Sequence, residues 1–214
     1  METEFPFSLY HNDLSALTPG PQHSAGRIAP PEFGDDLVIP VPASGAFRVI
    51  ERGLGKYIET IGGFSSINRL IVCGDPRWMN YRVRVVVTPL DFENASPGGA
   101  LCGIVARYSD PENYMAVMLS IDYQVRLLQR RGGVFEQLDA KPLEYCLGQS
   151  LTLALTFDGD KVTGMAGPYA GATFVRGVTT LPSGNVGFIS DVRTRLGPIN
   201  VECKEDEARR MGLV

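Results

Sequence analysis

The sequence has few of the residues that build catalytic and metal centres. Two histidines occur in 214 residues, His11 and His23, and both fall in a proline-rich N-terminal stretch. A zinc site or a Ser-His-Asp triad needs histidines held at defined positions by a scaffold, so neither kind of site is predicted. No glycine-rich phosphate loop follows a strand and opens a helix. The residue inventory therefore points to no standard catalytic centre.

Cysteine is scarce as well. Its four positions are far apart and never reach the Cys-x-x-Cys spacing of metal ligands: Cys73, Cys102, Cys146 and Cys203. We expect thiols, with Cys102 buried in an apolar strand. In an exported protein, one or two disulfides are the alternative.

A basic excess and a long apolar run are also missing. The net charge is −4 and the pI is about 5.3, which excludes a general electrostatic grip on nucleic acid. No apolar run approaches the roughly 20 residues of a membrane span, and the N-terminus lacks the basic and apolar regions of a signal peptide. We expect neither nucleic acid nor membrane as partner. The location is either cytoplasmic, or extracytoplasmic after removal of a signal.

What the sequence does contain is a long succession of short β-rich runs. From about Ala46 onward, alternating or wholly apolar runs follow each other, separated by turn signals. The strongest hairpin signal is Asp158–Gly159 between two alternating runs. No amphipathic helix of useful length interrupts them. The pattern predicts an all-β fold over residues 46–203, a two-sheet antiparallel β-sandwich of the jelly-roll kind.

The two ends of the chain differ from this central region. Residues 1–45 contain prolines too dense for a helix and predict an irregular N-terminal arm packed on the sandwich. Glu4–Tyr10 and Leu37–Val41 are candidate edge strands within that arm. Residues 204–214 combine helix-forming composition with alternating charge. They predict a short C-terminal helix or, alternatively, the start of a linker to a further domain.

Arginines provide the clearest candidates for ligand binding. Strand alternation places Arg82 and Arg84 on one face of a strand, and Gln124 and Arg126 on one face of another. If these strands are neighbours, the arginines form a band that can bind carboxylates or sulfates and stack on sugar rings. The alternative is a solvated face with cross-strand ion pairs. With nearby aromatic side chains included, the predicted ligand-binding residues are Arg82, Arg84, Arg107, Tyr108, Tyr114, Gln124 and Arg126.

Carboxylates give weaker signals. No strand carries the Glu-x-Asp-x-x-Glu arrangement of jelly-roll glucanases, whose paired acids cleave glycosides. The acidic cluster at the C-terminus is expected to lie on a solvated helix: Glu202, Glu205, Asp206 and Glu207. Oxygen-rich turns also suggest calcium, although aspartate in a turn needs no metal to explain it. The calcium candidates are Asp110, Asp158 and Asp160.

Several motifs in the central region carry a family resemblance. They are Trp78-x-x-Tyr81, the segment from Gly103 to Tyr108, the pair Asn113-Tyr114, the run Val125-Arg126-Leu127 and the segment Gly184–Phe188. Together they resemble the concanavalin A-like lectin/glucanase jelly roll over about residues 45–203. The likeness is strongest to laminin-G-like and 3-keto-disaccharide hydrolase-type domains. The resemblance implies two curved antiparallel sheets with a concave face that often holds carbohydrate.

The resemblance leaves three functions open. The first is a noncatalytic carbohydrate-binding domain, accessory to a polysaccharide-active protein, with a downstream catalytic domain as partner. The arginines favour an acidic glycan as its ligand. The second is a glycoside hydrolase of the 3-keto-disaccharide type or a polysaccharide lyase, against which the missing acidic strand motif argues. The third is a structural or assembly domain whose concave face is filled by the N-terminal arm or a partner chain.

Overall fold

The computed structural model of the chain describes residues 5–14, 23–24, 37, 46–53, 55–61, 69–92, 100–168 and 171–214. Strands dominate these residues, and one short helix follows them. In chain order they are β1 Phe7–Asn12, β2 His23–Ser24, β3 Ala46–Arg52, β4 Gly55–Ile61, β5 Arg69–Cys73, β6 Tyr81–Pro89, β7 Ala100–Asp110, β8 Asn113–Ser120, β9 Gln124–Arg131, β10 Val134–Pro142, β11 Leu151–Asp158, β12 Lys161–Gly167, β13 Thr173–Val178, β14 Asn185–Ser190, β15 Thr194–Cys203 and α1 Glu205–Arg210.

The described strands form two antiparallel sheets. The large sheet has the order β13-β12-β11-β6-β15-β4-β3-β2, and β1 pairs with the C-terminal half of β15 on the edge opposite β6. The small sheet has the order β10-β9-β8-β7-β14-β5. Strands of the two sheets contact each other across the middle, β6 and β11 against β7. The predicted all-β, two-sheet sandwich is therefore confirmed, including its short C-terminal helix.

Strand alternation builds the core between the sheets. In β6 the residues Tyr81, Val83, Val85 and Val87 are buried, whereas Arg82 is half-buried on the opposite face. The inward side chains of the small sheet belong to the same core, among them Ile104, Val117 and Leu127. Because the strand period is two, the polar residues between them face away from this core.

Glycines fix two local features of the sandwich, of which the β11–β12 hairpin was predicted. The β11–β12 hairpin closes with Asp158 opposite Lys161, and Gly159 at its tip has a φ of 63°. A positive φ at the first loop position is the geometry that glycine supplies in two-residue hairpins. Trp78, at 4% exposure, fills the core beside Gly74, where an added Cβ would lie 2.2 Å from the indole ring.

The chain ends are partly built into the sandwich. Phe7–Asn12, within the predicted arm, pairs with β15 as a strand of the large sheet. The rest of that arm, including the candidate strand of residues 38–41, lies almost entirely outside the described residues. At the other end, α1 packs through Ala208 and the buried Glu207, whose carboxylate accepts the backbone N–H of Met79 at 2.9 Å. No helix in the described residues has the length and apolarity needed to cross a bilayer.

Candidate functional site

The predicted band of arginines is divided between the two sheets. Arg82 and Arg84 lie on β6 of the large sheet, whereas Gln124 and Arg126 lie on β9 of the small sheet. The condition for a single band, that these strands are neighbours, is therefore not met. β6 pairs with β11 and β15, and the chain crosses to the other sheet before β7.

Arg107 is a buried structural cation. Its guanidinium donates to the carbonyl oxygens of Leu181 at 2.5 Å, Met79 at 2.9 Å and Gly159 at 2.6 Å. It also lies 4.4 Å from the centroid of the Phe157 ring, and burial lowers its pKa. At 3% exposure it cannot reach a ligand on either sheet face. Its placement in the predicted ligand patch is thus corrected.

Tyr108 and Tyr114 lie on the outer face of the small sheet. Their rings stack with centroids 6.1 Å apart, and burial raises the pKa of Tyr108 to about 12. They belong to a second apolar cluster in which each buried residue is at most 6% exposed. Its members are Leu70, Val72, Val105, Tyr108, Tyr114, Ala116, Met118 and Ile189. This part of the face is already buried within the single chain.

Gln124 and Arg126 share that outer face, toward the β10 edge. The guanidinium of Arg126 pairs with the carboxylate of Asp122 at 2.6 Å, and its side chain is 21% exposed. Hydrogen bonds from Ser120 and Arg126 lower the pKa of Asp122, although partial burial opposes the shift. Of the predicted residues, the structure thus gathers Tyr108, Tyr114, Gln124 and Arg126 on one face.

The outer face of the large sheet contains a groove, which we take as the candidate site. Its volume is about 270 Å³, near the lower end of the range for ligand pockets. It lies where the pairing of β15 with β6 shifts register between Leu196 and Ile199. Such a bulge bends the strand and spreads the neighbouring side chains. The groove is lined by Arg84, Val85, Val86, Thr152, Pro198 and Asn200.

Three polar side chains give the groove its chemistry. Thr152 contributes a hydroxyl, Asn200 an amide and Arg84 a guanidinium, and these come from three adjacent strands. Arg84 pairs with Glu202, and His11 contacts the side-chain oxygen of Asn200. A hydroxyl, an amide and a cation over apolar Val and Pro side chains suit a ligand with many hydroxyl groups.

Arg82 stands beside the groove and is more fully engaged. It donates to Glu202 from Nη2 at 2.9 Å and from Nε at 3.3 Å. Its guanidinium also lies 4.7 Å from the centroid of the Phe5 ring. Glu202 thus pairs with both Arg82 and Arg84.

Thr152, Asn200 and Pro198 were not predicted as site residues. Each occupies an ordinary outward position on its strand, and they meet because β11, β6 and β15 are adjacent. The pairing order of strands distant in sequence carries no local signal. The alternation of β6 was the local signal that pointed to this face, and of the groove residues it identified only Arg84.

The remaining acidic residues act within their own turns. Burial alone would raise the pKa of Asp110, but hydrogen bonds from the Glu112 backbone N–H and the Asn113 side chain outweigh it and lower the pKa. Asp158 pairs with Lys204 at 3.4 Å and is 71% exposed. In the described part of the chain, no three His, Cys, Asp or Glu side chains gather as metal ligands. Calcium at Asp110, Asp158 or Asp160 stays a prediction for a calcium titration to test.

Comparison with solved structures identifies the fold. The carbohydrate-binding module CBM66 from Bacillus subtilis superposes with a TM-score of 0.61 and 12% identity, over 78% of this chain and 95% of that one. A xylan β-1,4-xylosidase from Bacillus halodurans C-125 gives a TM-score of 0.60 and 13% identity, over 94% of this chain but 40% of the xylosidase. The lumenal domain of VIP36, in a form bound to Ca²⁺ and Man₃GlcNAc, gives 0.54 and 11%, over 77% of this chain and 88% of that domain.

No protein-family model matches the sequence, and no curated protein matches it. The structural matches nevertheless confirm the resemblance seen in the sequence at the level of fold, a lectin-like jelly-roll sandwich. At these identities the likeness shows the architecture alone. What the protein binds must therefore be argued from its own side chains.

Proposed function

We propose that the chain is a carbohydrate-binding domain whose ligand lies in the groove of the large sheet. The observation that carries the proposal is the groove itself, where Arg84, Thr152 and Asn200 converge over the apolar Val86 and Pro198. Tyr57 stands near its end, since a Cβ added at Gly197 would lie 3.2 Å from Val86 and 3.9 Å from the Tyr57 ring. Half-buried aromatic rings provide stacking surfaces for the apolar faces of sugars.

The structural neighbours support the class of ligand. One is named as a carbohydrate-binding module, and another is bound to Man₃GlcNAc. The xylosidase contains the fold within a longer chain, of which the present chain matches 40%. By analogy, we place this domain as an accessory part of a polysaccharide-active protein, with a catalytic domain as its partner.

The local charge favours an acidic glycan. Arg82 and Arg84 pair with the carboxylate of Glu202, and the face carries further arginines, Arg195 on β15 and Arg48 on β3. A carboxylate or sulfate on the sugar would add a charge-assisted hydrogen bond to those that hydroxyl groups provide.

Binding of defined oligosaccharides, measured by calorimetry after a glycan-array screen, tests the proposal. We expect a Thr152→Val/Asn200→Ala variant to bind at least about tenfold more weakly, since two hydrogen bonds of about 1 kcal/mol each are lost. Thr156→Val is the matched control, because Thr156 lies on the same strand and face but outside the groove. Full affinity in the double variant, with loss of affinity in Arg126→Gln, would transfer the site to the small sheet.

A further inference from the structure

Three arginines surround one buried carboxylate farther along the same face. Glu59 of β4 is 2% exposed, and it pairs with Arg48, with Arg193 at 3.4 Å and with Arg195 at 3.6 Å. Arg48 and Arg195 lie directly opposite Glu59 on the two neighbouring strands. Asp91 accepts the backbone N–H of Arg193 at 3.4 Å. Among the described contacts, three guanidinium groups thus face the carboxylates of Glu59 and Asp91.

The cluster has more donors than its carboxylate can accept. Each guanidinium presents a fork of N–H groups, whereas Glu59 has two oxygens. The Nε atoms of Arg48 and Arg195 are buried and have no hydrogen-bond acceptor among the residues that the structure describes. At the same time, the side chains of Arg48 and Arg193 are 41% and 47% exposed. The exposed guanidinium groups of Arg48 and Arg193 thus offer charged donors at the surface, and the buried Glu59 holds them in place.

The arginine cluster is continuous with the groove. The guanidinium carbon of Arg195 lies 5.8 Å from the centroid of the Tyr57 ring. The same ring approaches Gly197, next to Pro198 of the groove lining. A chain molecule that stacks on Tyr57 can therefore contact both places at once.

We propose that Arg48, Arg193 and Arg195 form an oxyanion site that binds a carboxylate or sulfate group of the glycan held in the groove. The proposal rests on the carbohydrate-binding function, but the cluster also predicts binding of a free anion. Guanidinium forks match the two oxygens of carboxylate and sulfate groups bidentately, which lysine cannot do. Glu59 orients the three arginines and reduces their mutual repulsion, and it also opposes the arriving anion.

Titration of the full chain with inorganic sulfate, followed through the arginine Nε–H signals in NMR, tests the cluster directly. We expect an Arg48→Lys/Arg193→Lys variant to bind sulfate at least about tenfold more weakly, although its charge is unchanged. Glu59→Gln should bind sulfate several-fold more tightly, because it removes the nearest negative charge. Arg176→Lys, at an exposed position of the edge strand β13, is the control and should leave binding unchanged. Equal sulfate affinity in all four proteins would overturn the proposal.

Three oligosaccharides of equal length, one neutral, one uronate and one sulfated, separate this proposal from the underlying function. Preferential binding of a charged oligosaccharide, reduced to the neutral level by the double lysine variant, supports the oxyanion site. The uronate and sulfated arms identify which anion it takes. Glycan binding without sulfate binding or charge preference would leave the function standing and refute the site. Sulfate binding without any glycan binding would leave the oxyanion site standing and refute the carbohydrate-binding function.

Discussion

Replacement of Arg107 by methionine tests whether this residue stabilises the fold through its buried contacts. Arg107 donates to three backbone carbonyls and stacks on Phe157, all within the protein. Methionine has a similar length but no donor, so the three carbonyl oxygens would lose their partner at part-buried positions. The charge is no longer buried in the variant, which recovers part of the loss.

The magnitude follows from these contacts. Three carbonyls left without a donor cost about 1 kcal/mol each or more, and loss of the stacking on Phe157 adds about 1 kcal/mol. Relief of the buried charge offsets part of this sum. We therefore expect the free energy of unfolding to decrease by about 3–5 kcal/mol. With a urea m-value of about 3 kcal/mol/M, the midpoint would fall by about 1 M or more.

Urea unfolding followed by circular dichroism and tryptophan fluorescence measures the change, and the single Trp78 reports on the core. Arg176→Met is the matched control, since the Arg176 side chain is exposed and its change should stay within about 0.5 kcal/mol. A destabilisation below about 1 kcal/mol for Arg107→Met would refute the reasoning. In that case the three carbonyl contacts would contribute little, and Arg107 would again be a ligand candidate.

Three further outcomes are expected. Gly187→Ala should prevent folding or lower the melting temperature strongly, since its Cβ would lie 2.0 Å from the carbonyl oxygen of Ile71 on the paired strand; a melting curve like that of the wild type would contradict this geometry. The free energy of unfolding should fall as the pH drops below about 4, because three aspartates have a pKa below the ordinary 3.8. Arg77 lowers the pKa of Asp75, Ser120 that of Asp122, and the Arg176 N–H that of Asp139. The stability that a lowered carboxyl pKa contributes is present above pH 3.8 and is lost as the pH falls through the pKa of the folded state. Urea melts at pH 2 to 6 measure it, and a curve that is flat below pH 4 would exclude it. In the native protein, a thiol reagent should quickly modify the exposed Cys146. The other cysteines are buried, and burial raises the pKa of Cys102 to about 12 and that of Cys203 to about 11. Fast labelling that persists in Cys146→Ser would contradict this prediction.

The features that depend on residues close together in the chain could be predicted from the sequence. The strands, the Asp158–Gly159 hairpin and the inward and outward faces of β6 all follow from local periodicity and turn chemistry. Which strands lie side by side does not, because pairing between distant segments is decided by the packing of the whole sandwich. The single arginine band depended on such a pairing, and Arg82 and Arg126 belong to different sheets.

For Arg107, strand alternation predicts the wrong side of the sheet, and the reason is different. Simple alternation along β7 puts Cys102, Ile104 and Ala106 in the core, so it puts Arg107 on the outer face. In the structure, Arg107 has a φ of 46°, and the pairing with β8 shifts register after Ala106. A non-glycine residue in this region breaks the period of two, and its side chain turns inward. The backbone N–H of Arg107 donates to the Tyr81 hydroxyl at 2.9 Å, which helps to hold the irregular geometry.

The contrast between β6 and β8 explains why the ligand site is proposed on the large sheet. In β8, every residue from Tyr114 to Ser120 is buried, so the strand is apolar on both faces. A strand that is covered on both sides needs no polar alternation, and it leaves no surface for a water-soluble ligand. In β6 the alternation persists as far as Val87, and Arg84 and Val86 open into the groove. Persistence of the period of two thus marks where a sheet face stays open: in β6 of the large sheet and, toward the β10 edge, in β9 of the small sheet.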